Sequence, residues 1–190
     1  MRQTGWIAAL ICFALIACEE VPQPAQDEAG ELEPLRRIIT TEDSDGRAVV
    51  LDDGPSANVL ELNGSRVVRL WETRQLPVPI PVSEDKGATA ENGYRDGFIG
   101  SSVYYADLPV GSGLDEVPIH KLDSMDYIVL LEGEVDLVLE GGERIPMKPG
   151  ELLIQAGNNH SWVNTGNTPA RLLCIILTGE RTGAGVEASE

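Results

Sequence analysis

Short segments in which apolar and polar residues alternate recur along the chain from about residue 36 to residue 177, and helical periodicity is almost absent. Glu134–Glu140 alternates strictly, and Tyr127–Leu131 is a continuous β-branched and apolar run. A period of two is typical of strands with one buried face. Further strands are predicted at Arg36–Thr40, Ala48–Leu51, Asn58–Leu62, Arg66–Thr73, Phe98–Leu108, Val117–Lys121, Arg144–Met147, Leu152–Gln155, His160–Asn164 and Arg171–Leu177.

Turn-forming pairs separate these segments. They include Asp45-Gly46, Asn63-Gly64, Gly141-Gly142 and Pro149-Gly150. Many short strands at close spacing predict an antiparallel sandwich or barrel, so the predicted fold class is all-β. The proline-rich stretch 76–97 interrupts the pattern and predicts a long surface loop of the kind that often carries function.

The first 17 residues are predicted to be a signal peptide. Arg2 precedes the apolar run Trp6–Ala17, which is shorter than the roughly 20 residues that cross a bilayer as a helix. The run ends in Leu-Ile-Ala-Cys, which resembles the lipobox of bacterial lipoproteins and implies that Cys18 is lipidated. Glu19, by the same resemblance, implies the outer membrane. The expected location is therefore the cell envelope, with the protein facing the periplasm and held to the membrane through a lipid anchor.

The rest of the chain divides into three parts. Residues 18–34 hold the lipidated cysteine and a disordered acidic tether, because Glu19–Pro34 has six acids, three prolines and no bases. Residues 35–180 are predicted to fold as one domain. Residues 181–190 are rich in glycine, alanine and glutamate and predict a flexible tail.

Composition limits which partners the protein can bind and which bonds its cysteines can form. The chain has 31 acids against 14 bases and a net charge of −17. A surface this acidic repels phosphate backbones, which excludes nucleic acid as a partner. Cys12 would leave with the signal peptide and Cys18 would take the lipid, so the mature domain would have no internal disulfide. Cys174 lies in an apolar run, where a buried inert thiol is expected.

The chain has only two histidines, His120 and His160, and each lies beside a predicted turn and a polar residue. His120 and Asp126 are each three residues from a turn centred on Asp123, so symmetric pairing would place them opposite one another. A turn midway between Gln155 and His160 would pair those two residues. Two histidines and one carboxylate are the minimum set for a divalent metal with open positions.

Two segments resemble the signature motifs of the cupin superfamily. In the first, residues 113–133, the matching positions are His120, Asp126 in place of the usual glutamate, and Gly133. In the second, residues 149–164, they are Pro149-Gly150-Glu151, Gly157, His160 and Asn164. The resemblance covers about residues 97–177. It implies that residues 35–180 form a double-stranded β-helix (jelly-roll) cupin barrel.

The match to these motifs is incomplete. Leu122 occupies the second histidine position of the first motif, and Gln155 replaces the usual proline of the second. The resemblance implies a site for one divalent metal ion, of undetermined identity, with His120, Asp126 and His160 as ligands. His120 and Asp126 are also the expected catalytic pair.

A small-molecule pocket is expected inside the barrel. Its predicted lining residues are Gln155, Trp162, Tyr104 and Arg69. Trp162 lies two residues from His160 and therefore on the same strand face. Cupins commonly dimerise through sheet edges, so the resemblance also implies a homodimer.

Three functions remain open from the sequence. The first is a lipid-anchored cupin that holds a small organic molecule in its barrel, as an enzyme that uses a divalent metal. The second is a metal-free isomerase or epimerase, in which His120 carries the proton and Asp126 orients its ring. The third is a non-catalytic envelope protein that binds a ligand.

Overall fold

The computed structural model describes residues 32–90 and 99–183. These residues contain strands and no helix: β1 (Arg36–Glu42), β2 (Ala48–Pro55), β3 (Val59–Leu62), β4 (Ser65–Thr73), β5 (Ser101–Leu108), β6 (Ser124–Glu132), β7 (Val135–Leu139), β8 (Arg144–Met147), β9 (Leu152–Ala156), β10 (His160–Asn164) and β11 (Ala170–Thr178). No helix in this part of the chain could therefore cross a membrane. The predicted signal peptide and Cys18 lie outside the described residues.

The strands form three antiparallel sheets. The first is the pair β1–β2, the second has the order β10-β7-β8, and the third has the order β3-β4-β5-β11-β6-β9. A single core of buried side chains joins the second and third sheets, with Leu130 and Leu172 from one side and Leu137 and Trp162 from the other. Two sheets that share one core in this way form the sandwich-like barrel that the alternation predicts.

Alternation along the strands decides which side chains face this core. In β6, Asp126, Ile128 and Leu130 are buried, while the intervening Tyr127 and Val129 are only half-buried. Because successive side chains of a strand point to opposite faces, Asp126 lies on the same inner face as the apolar core residues. The sequence pattern that forms the core therefore also carries a carboxyl group into it.

One predicted strand is wrong. Val117–Lys121 lies in a loop that runs from residue 109 to residue 123, and within it only His120 makes a β-bridge. Pro118 has no backbone N–H, so it cannot donate to a strand ladder at this point. The consequence for the site is that no hairpin forms around Asp123.

The described part of the proline-rich stretch, residues 76–90, lies on the outside of the barrel. In its described part the Thr41 hydroxyl donates to the Val82 carbonyl at 2.5 Å, and Asn58 Nδ2 donates to the Gly87 carbonyl at 2.8 Å. These bonds hold residues 76–90 against β1 and the loop before β3. This segment contributes no side chain to the cavity that contains the histidines.

Candidate functional site

The two histidines lie directly opposite one another on neighbouring backbone segments. The His120 N–H donates to the His160 carbonyl and the His160 N–H donates to the His120 carbonyl, both at 2.9 Å. The two ring centroids are 4.3 Å apart, with an angle of 52° between the ring planes. The loop before β6 and the first residue of β10 thus bring both imidazoles of the chain together.

The loop that carries His120 is fastened to β10. The Ser161 hydroxyl donates to the Val117 carbonyl, and the Asn164 N–H donates to the Ser112 carbonyl at 3.0 Å. His120 itself is exposed to solvent. The site therefore has one imidazole at its rim on a fixed loop and a second imidazole inside the wall.

His160 is 3% exposed and held in one protonation state. Its Nδ1 lies 3.0 Å from the Asn158 carbonyl oxygen. A carbonyl only accepts, so Nδ1 carries the hydrogen and Nε2 accepts from the Gln155 amide nitrogen at 3.0 Å. That amide nitrogen also lies 2.6 Å from Nδ1, but an amide NH₂ cannot accept the Nδ1 hydrogen. Burial, and secondarily the charge of His120, lowers the pKa of His160 to about 4, so the ring is neutral near pH 7.

Asp126 lies on the inner face of β6, directly opposite Gln155 of β9. Both side chains are almost fully buried, and Asp126 Oδ1 and Gln155 Oε1 make no hydrogen bond with the described residues. Burial raises the pKa of Asp126, against smaller opposite effects of Ser124 and His120. A buried carboxylate oxygen without a donor favours a proton on the carboxyl group, which could then donate a hydrogen bond.

The predicted backbone pairings of these residues are wrong. His120 is opposite His160 rather than Asp126, because β6 pairs with β9 and β11 and forms no hairpin at Asp123. Gln155 is opposite Asp126 rather than His160, because the turn after β9 carries the chain from one sheet to the other. The Gln155 and His160 side chains nevertheless meet across this crossing.

A cavity of about 330 Å³ lies between the two sheets of the barrel. Both imidazoles, Asp126, Tyr104 and Trp162 line it. Trp162 stands edge-on to His160, with ring centroids 6.2 Å apart. Most of the remaining wall is aliphatic, with Val67, Ala106, Leu108, Leu122, Ile128, Leu172 and Ile176. The polar groups are thus few and the cavity is mainly apolar, as is usual for small-molecule sites.

Two other predicted pocket residues, Arg69 and Gln155, do not line the cavity. Arg69 is buried, donates to the Ser102 hydroxyl, and holds its guanidinium carbon 5.4 Å from the Tyr104 ring centroid, but it does not line the cavity. Burial raises the pKa of Tyr104 well above its ordinary value. Burial likewise raises the pKa of Cys174 to about 12, so this thiol is protonated and unreactive near neutral pH.

The residues present do not fit the predicted metal ion. Within residues 32–90 and 99–183, no three or more His, Cys, Asp or Glu side chains are arranged to hold a metal. Leu122, which stands at the second histidine position, lines the cavity and offers no donor atom. The structure brings His120 and His160 together without a complete ligand set.

The aliphatic part of the cavity wall was not predicted from the sequence. Val67 of β4, Ala106 of β5 and Leu172 of β11 line the cavity. The available signal was alternation, since each of them lies two residues from an inward-facing residue of the same strand. Without the pairing of the strands, however, nothing in the sequence shows that these three residues share one cavity.

A larger cavity of about 900 Å³ lies on the outer side of the barrel, between β1, β4 and the proline-rich segment. Its wall is formed mainly by aliphatic residues such as Ile38, Leu70, Val78 and Ile80. None of the predicted site residues lines it. Size alone therefore does not identify the functional site, and the chemistry of the wall favours the inner cavity.

Comparison with known proteins gives consistent matches. Residues 104–176 match the family model described as a cupin domain. The cupin-domain-containing oxidoreductase fogC of Aspergillus ruber is 32% identical over 150 residues, which cover 74% of this chain and 71% of that protein. The phomopsin biosynthesis cluster protein D of Diaporthe leptostromiformis is 32% identical over 159 residues, which cover 79% of this chain and 82% of that protein.

Among solved structures, the chain is similar to the cupin domain of Schizosaccharomyces pombe Cnp3. It superposes with a TM-score of 0.47 at 14% sequence identity, over 77% of this chain and 89% of that chain.

The predicted location is wrong. Relatives of this chain are fungal proteins, among them cupin-domain-containing oxidoreductases and products of biosynthesis clusters, which are not bacterial outer-membrane lipoproteins. The prediction rested on a tetrapeptide with three apolar residues at the end of an apolar run, and so short a pattern also arises by chance in such a run. Lipidation of Cys18 lies outside the described residues, and the homodimer stays a prediction.

Proposed function

This chain belongs to the cupin-domain family, and we propose that it is an enzyme that moves a proton on a small organic molecule held inside the barrel. The predicted all-β jelly-roll cupin fold is confirmed by the strands and by the family match. Relatives named as oxidoreductases support an enzyme-like role. The observation that carries the proposal is a cavity that holds two touching imidazoles together with a buried carboxyl group whose Oδ1 makes no hydrogen bond with the described residues.

His120 is the proposed base. Its Nδ1 lies 2.9 Å from the Pro118 carbonyl oxygen, so the hydrogen of the neutral ring resides on Nδ1 and the lone pair on Nε2 can accept a proton. The ring is exposed at the rim, so water can hydrate the imidazolium that forms. His160 is neutral near pH 7 and therefore adds no repulsive charge beside this imidazolium.

Asp126 is the proposed acid. Burial raises its pKa, and its protonated form would provide a hydrogen-bond donor in the cavity. In the proposed step, His120 Nε2 takes a proton from the carbon next to a substrate carbonyl. The C–H electron pair becomes the new C=C bond, and the carbonyl oxygen takes the proton of Asp126. Return of the two protons gives the isomer or epimer, so the net reaction needs no oxidant or reductant.

The word oxidoreductase in the names of relatives describes those proteins. For this chain the proposal is limited to proton transfer, because imidazole and carboxyl groups exchange protons. A metal-dependent reaction of this site would require a ligand set larger than the two histidines that the structure brings into contact. A non-catalytic ligand-binding role is the outcome that the experiment must separate from catalysis.

The test is deuterium exchange into the methyl group of 2-acetylnaphthalene, followed by proton NMR near neutral pD with the purified protein. We expect exchange above the buffer rate, and a loss of about 100-fold or more in His120→Gln and in Asp126→Asn. Asp123→Asn is the matched control, because Asp123 is exposed and pairs with Arg181 outside the cavity. Thermal melting checks that each variant is folded.

Three outcomes would contradict the proposal. Binding of the ketone without exchange would favour the non-catalytic role. Exchange that survives both substitutions would place the chemistry elsewhere. Activity that disappears on chelation and returns with a divalent ion would establish the metal-dependent alternative.

A further inference from the structure

The charges of the residues that line the cavity indicate which class of molecule the cavity accepts. The titratable residues that line it are Asp126, Glu116, His120, His160, Tyr104 and Cys174, and no lysine or arginine belongs to the lining. Arg69 is turned toward the Ser102 hydroxyl and the Tyr104 ring, and His160 is neutral near pH 7. An anion in this cavity would therefore lose its hydration without meeting a fixed cation, which costs several kcal/mol.

The charge of the whole chain acts in the same direction. With 31 acids and 14 bases, the protein repels anions before they reach the mouth of the cavity. A cationic ligand would be attracted over a distance, but it would then have to form a buried ion pair with Asp126. The desolvation of such a pair commonly cancels its Coulomb energy.

Polar and apolar groups are separated along the cavity. Ile176 of β11 pairs with Asp126 of β6, beside the histidines, whereas Leu172 lies four residues further along β11 and pairs with Leu130. The aliphatic end is therefore more than ten ångströms from the polar end at about 3.4 Å per residue. A ligand that fills this space has one polar group and an apolar body.

The polar end contains a buried carboxyl oxygen without a hydrogen-bond partner among the described residues. This oxygen is Asp126 Oδ1, on the inner face of β6. A carboxyl proton placed there would donate to an uncharged acceptor such as a carbonyl oxygen. A volume of about 330 Å³ is at the small end of the range for ligand pockets and suits a molecule of one or two fused rings.

From these observations we infer that the substrate is an uncharged, mainly apolar carbonyl compound, with its oxygen at Asp126 and its hydrocarbon body toward Leu172. Carboxylates, phosphates and ammonium compounds of the same shape are excluded. This inference extends the proposed function and rests on it only in treating the bound molecule as a substrate. The selectivity itself depends only on the cavity wall.

The experiment compares three naphthalenes of nearly equal shape: 2-acetylnaphthalene, 2-naphthoate and 2-naphthylmethylammonium. Binding to the full chain is measured by titration calorimetry near pH 7.5. We expect the ketone to bind at least tenfold more tightly than either charged analogue. Equal or tighter binding of the carboxylate or of the ammonium compound, or no binding of the ketone, would overturn the inference.

A substitution in the wall tests the cause of the selectivity. Leu122→Lys adds a cation to the lining, and we expect 2-naphthoate to bind at least tenfold more tightly than to the wild type. Leu152→Lys is the matched control, because Leu152 is 55% exposed on β9 and does not line the cavity, so naphthoate affinity should stay at the wild-type value. A gain in both variants would assign the effect to net charge and contradict the inference.

The two proposals fail in different ways. If the ketone binds with the expected selectivity but its methyl protons do not exchange, the proposed function fails and the ligand class stands. If exchange occurs but 2-naphthoate binds as tightly as the ketone, the ligand class fails and the proton transfer stands. If Leu122→Lys does not fold, the comparison of the three naphthalenes with the wild-type protein still tests the inference.

Discussion

At the scale of single residues, the barrel interior contains polar groups whose burial is unfavourable unless they serve the site. His160, Asp126 and Gln155 are almost fully buried, and two of their oxygens make no hydrogen bond with the described residues. An unsatisfied buried acceptor costs about 1–3 kcal/mol. Folding alone would favour apolar residues at these positions, so their presence is consistent with a functional site.

His160 should make the protein sensitive to acid. Its pKa is lowered from 6.5 to about 4 in the folded protein. Between these pH values the unfolded chain binds a proton that the folded chain does not, so the free energy of unfolding falls as the pH drops. Asp126 acts in the opposite direction, because its raised pKa means that the folded state takes up a proton more readily.

Urea unfolding at pH 7 and pH 4.5 of the wild type and of His160→Gln isolates this contribution. We expect the stability advantage of the wild type over the variant to shrink by about 2 kcal/mol at the lower pH. The contributions of groups that titrate in both proteins, Asp126 among them, to the pH dependence of stability largely cancel in the comparison. Identical pH dependence of the two proteins would contradict a lowered pKa at His160.

At the scale of the elements, turns decide which strands meet. Gly133 joins β6 to β7 with a φ of +82°, and a Cβ there would come within 2.6 Å of the Ala170 Cα. Gly142 lies between β7 and β8 with nearly the same φ of +85°, but a Cβ there would meet nothing within 4 Å. The two glycines therefore share a backbone conformation and differ in crowding.

Alanine at these two positions should separate conformational strain from overpacking. Gly142→Ala is expected to lower the free energy of unfolding by about 1–2 kcal/mol, the cost of a left-handed conformation for a residue with a Cβ. Gly133→Ala should cost a further 1–3 kcal/mol or so, because Ala170 and the adjoining backbone must move. Urea unfolding measures both, and equal losses would show that the turn accommodates the methyl group.

At the scale of the whole molecule, Arg171 ties the beginning of the described chain to the barrel. Its guanidinium donates to Asp107 at 2.5 Å and 2.7 Å and to the Glu33 carbonyl at 2.6 Å, and it lies 4.3 Å from the Tyr105 ring centroid. The side chains of Arg171 and Asp107 are only 1% and 9% exposed. This ion pair links β11, β5 and the segment before β1.

Removal of Arg171 should therefore be costly. Arg171→Met leaves Asp107 buried without its partner, and we expect a loss of about 3–5 kcal/mol in the free energy of unfolding. Arg36→Met is the matched control, because it removes the same kind of pair with Asp53 where the side chains are 66% and 41% exposed, and its loss should be far smaller than that of Arg171→Met. Chemical denaturation of both variants checks this, and similar losses would show that burial does not govern the two pairs.

How much of the site was predictable can be seen at particular residues. Alternation in Glu134–Glu140 predicted β7 and the continuous apolar run Tyr127–Leu131 predicted β6, and both histidines were recognised as candidate site residues. The pairing of those histidines was not predicted, because Pro118 and the crossing of the chain after β9 change which backbones meet. Hairpin reasoning assumes that consecutive strands share a sheet, and in this barrel β9 and β10 do not.

The sequence by itself determined the all-β class, most of the strand positions, the motifs of the family and the identity of the polar residues, because these depend on local periodicity and on residue type. Only the tertiary structure decided that His120 faces His160, that Asp126 faces Gln155, and that the surrounding wall contains aliphatic side chains and no lysine or arginine. These contacts join residues far apart in the chain. Their partners are selected by the packing of two sheets around one core, which no local pattern encodes.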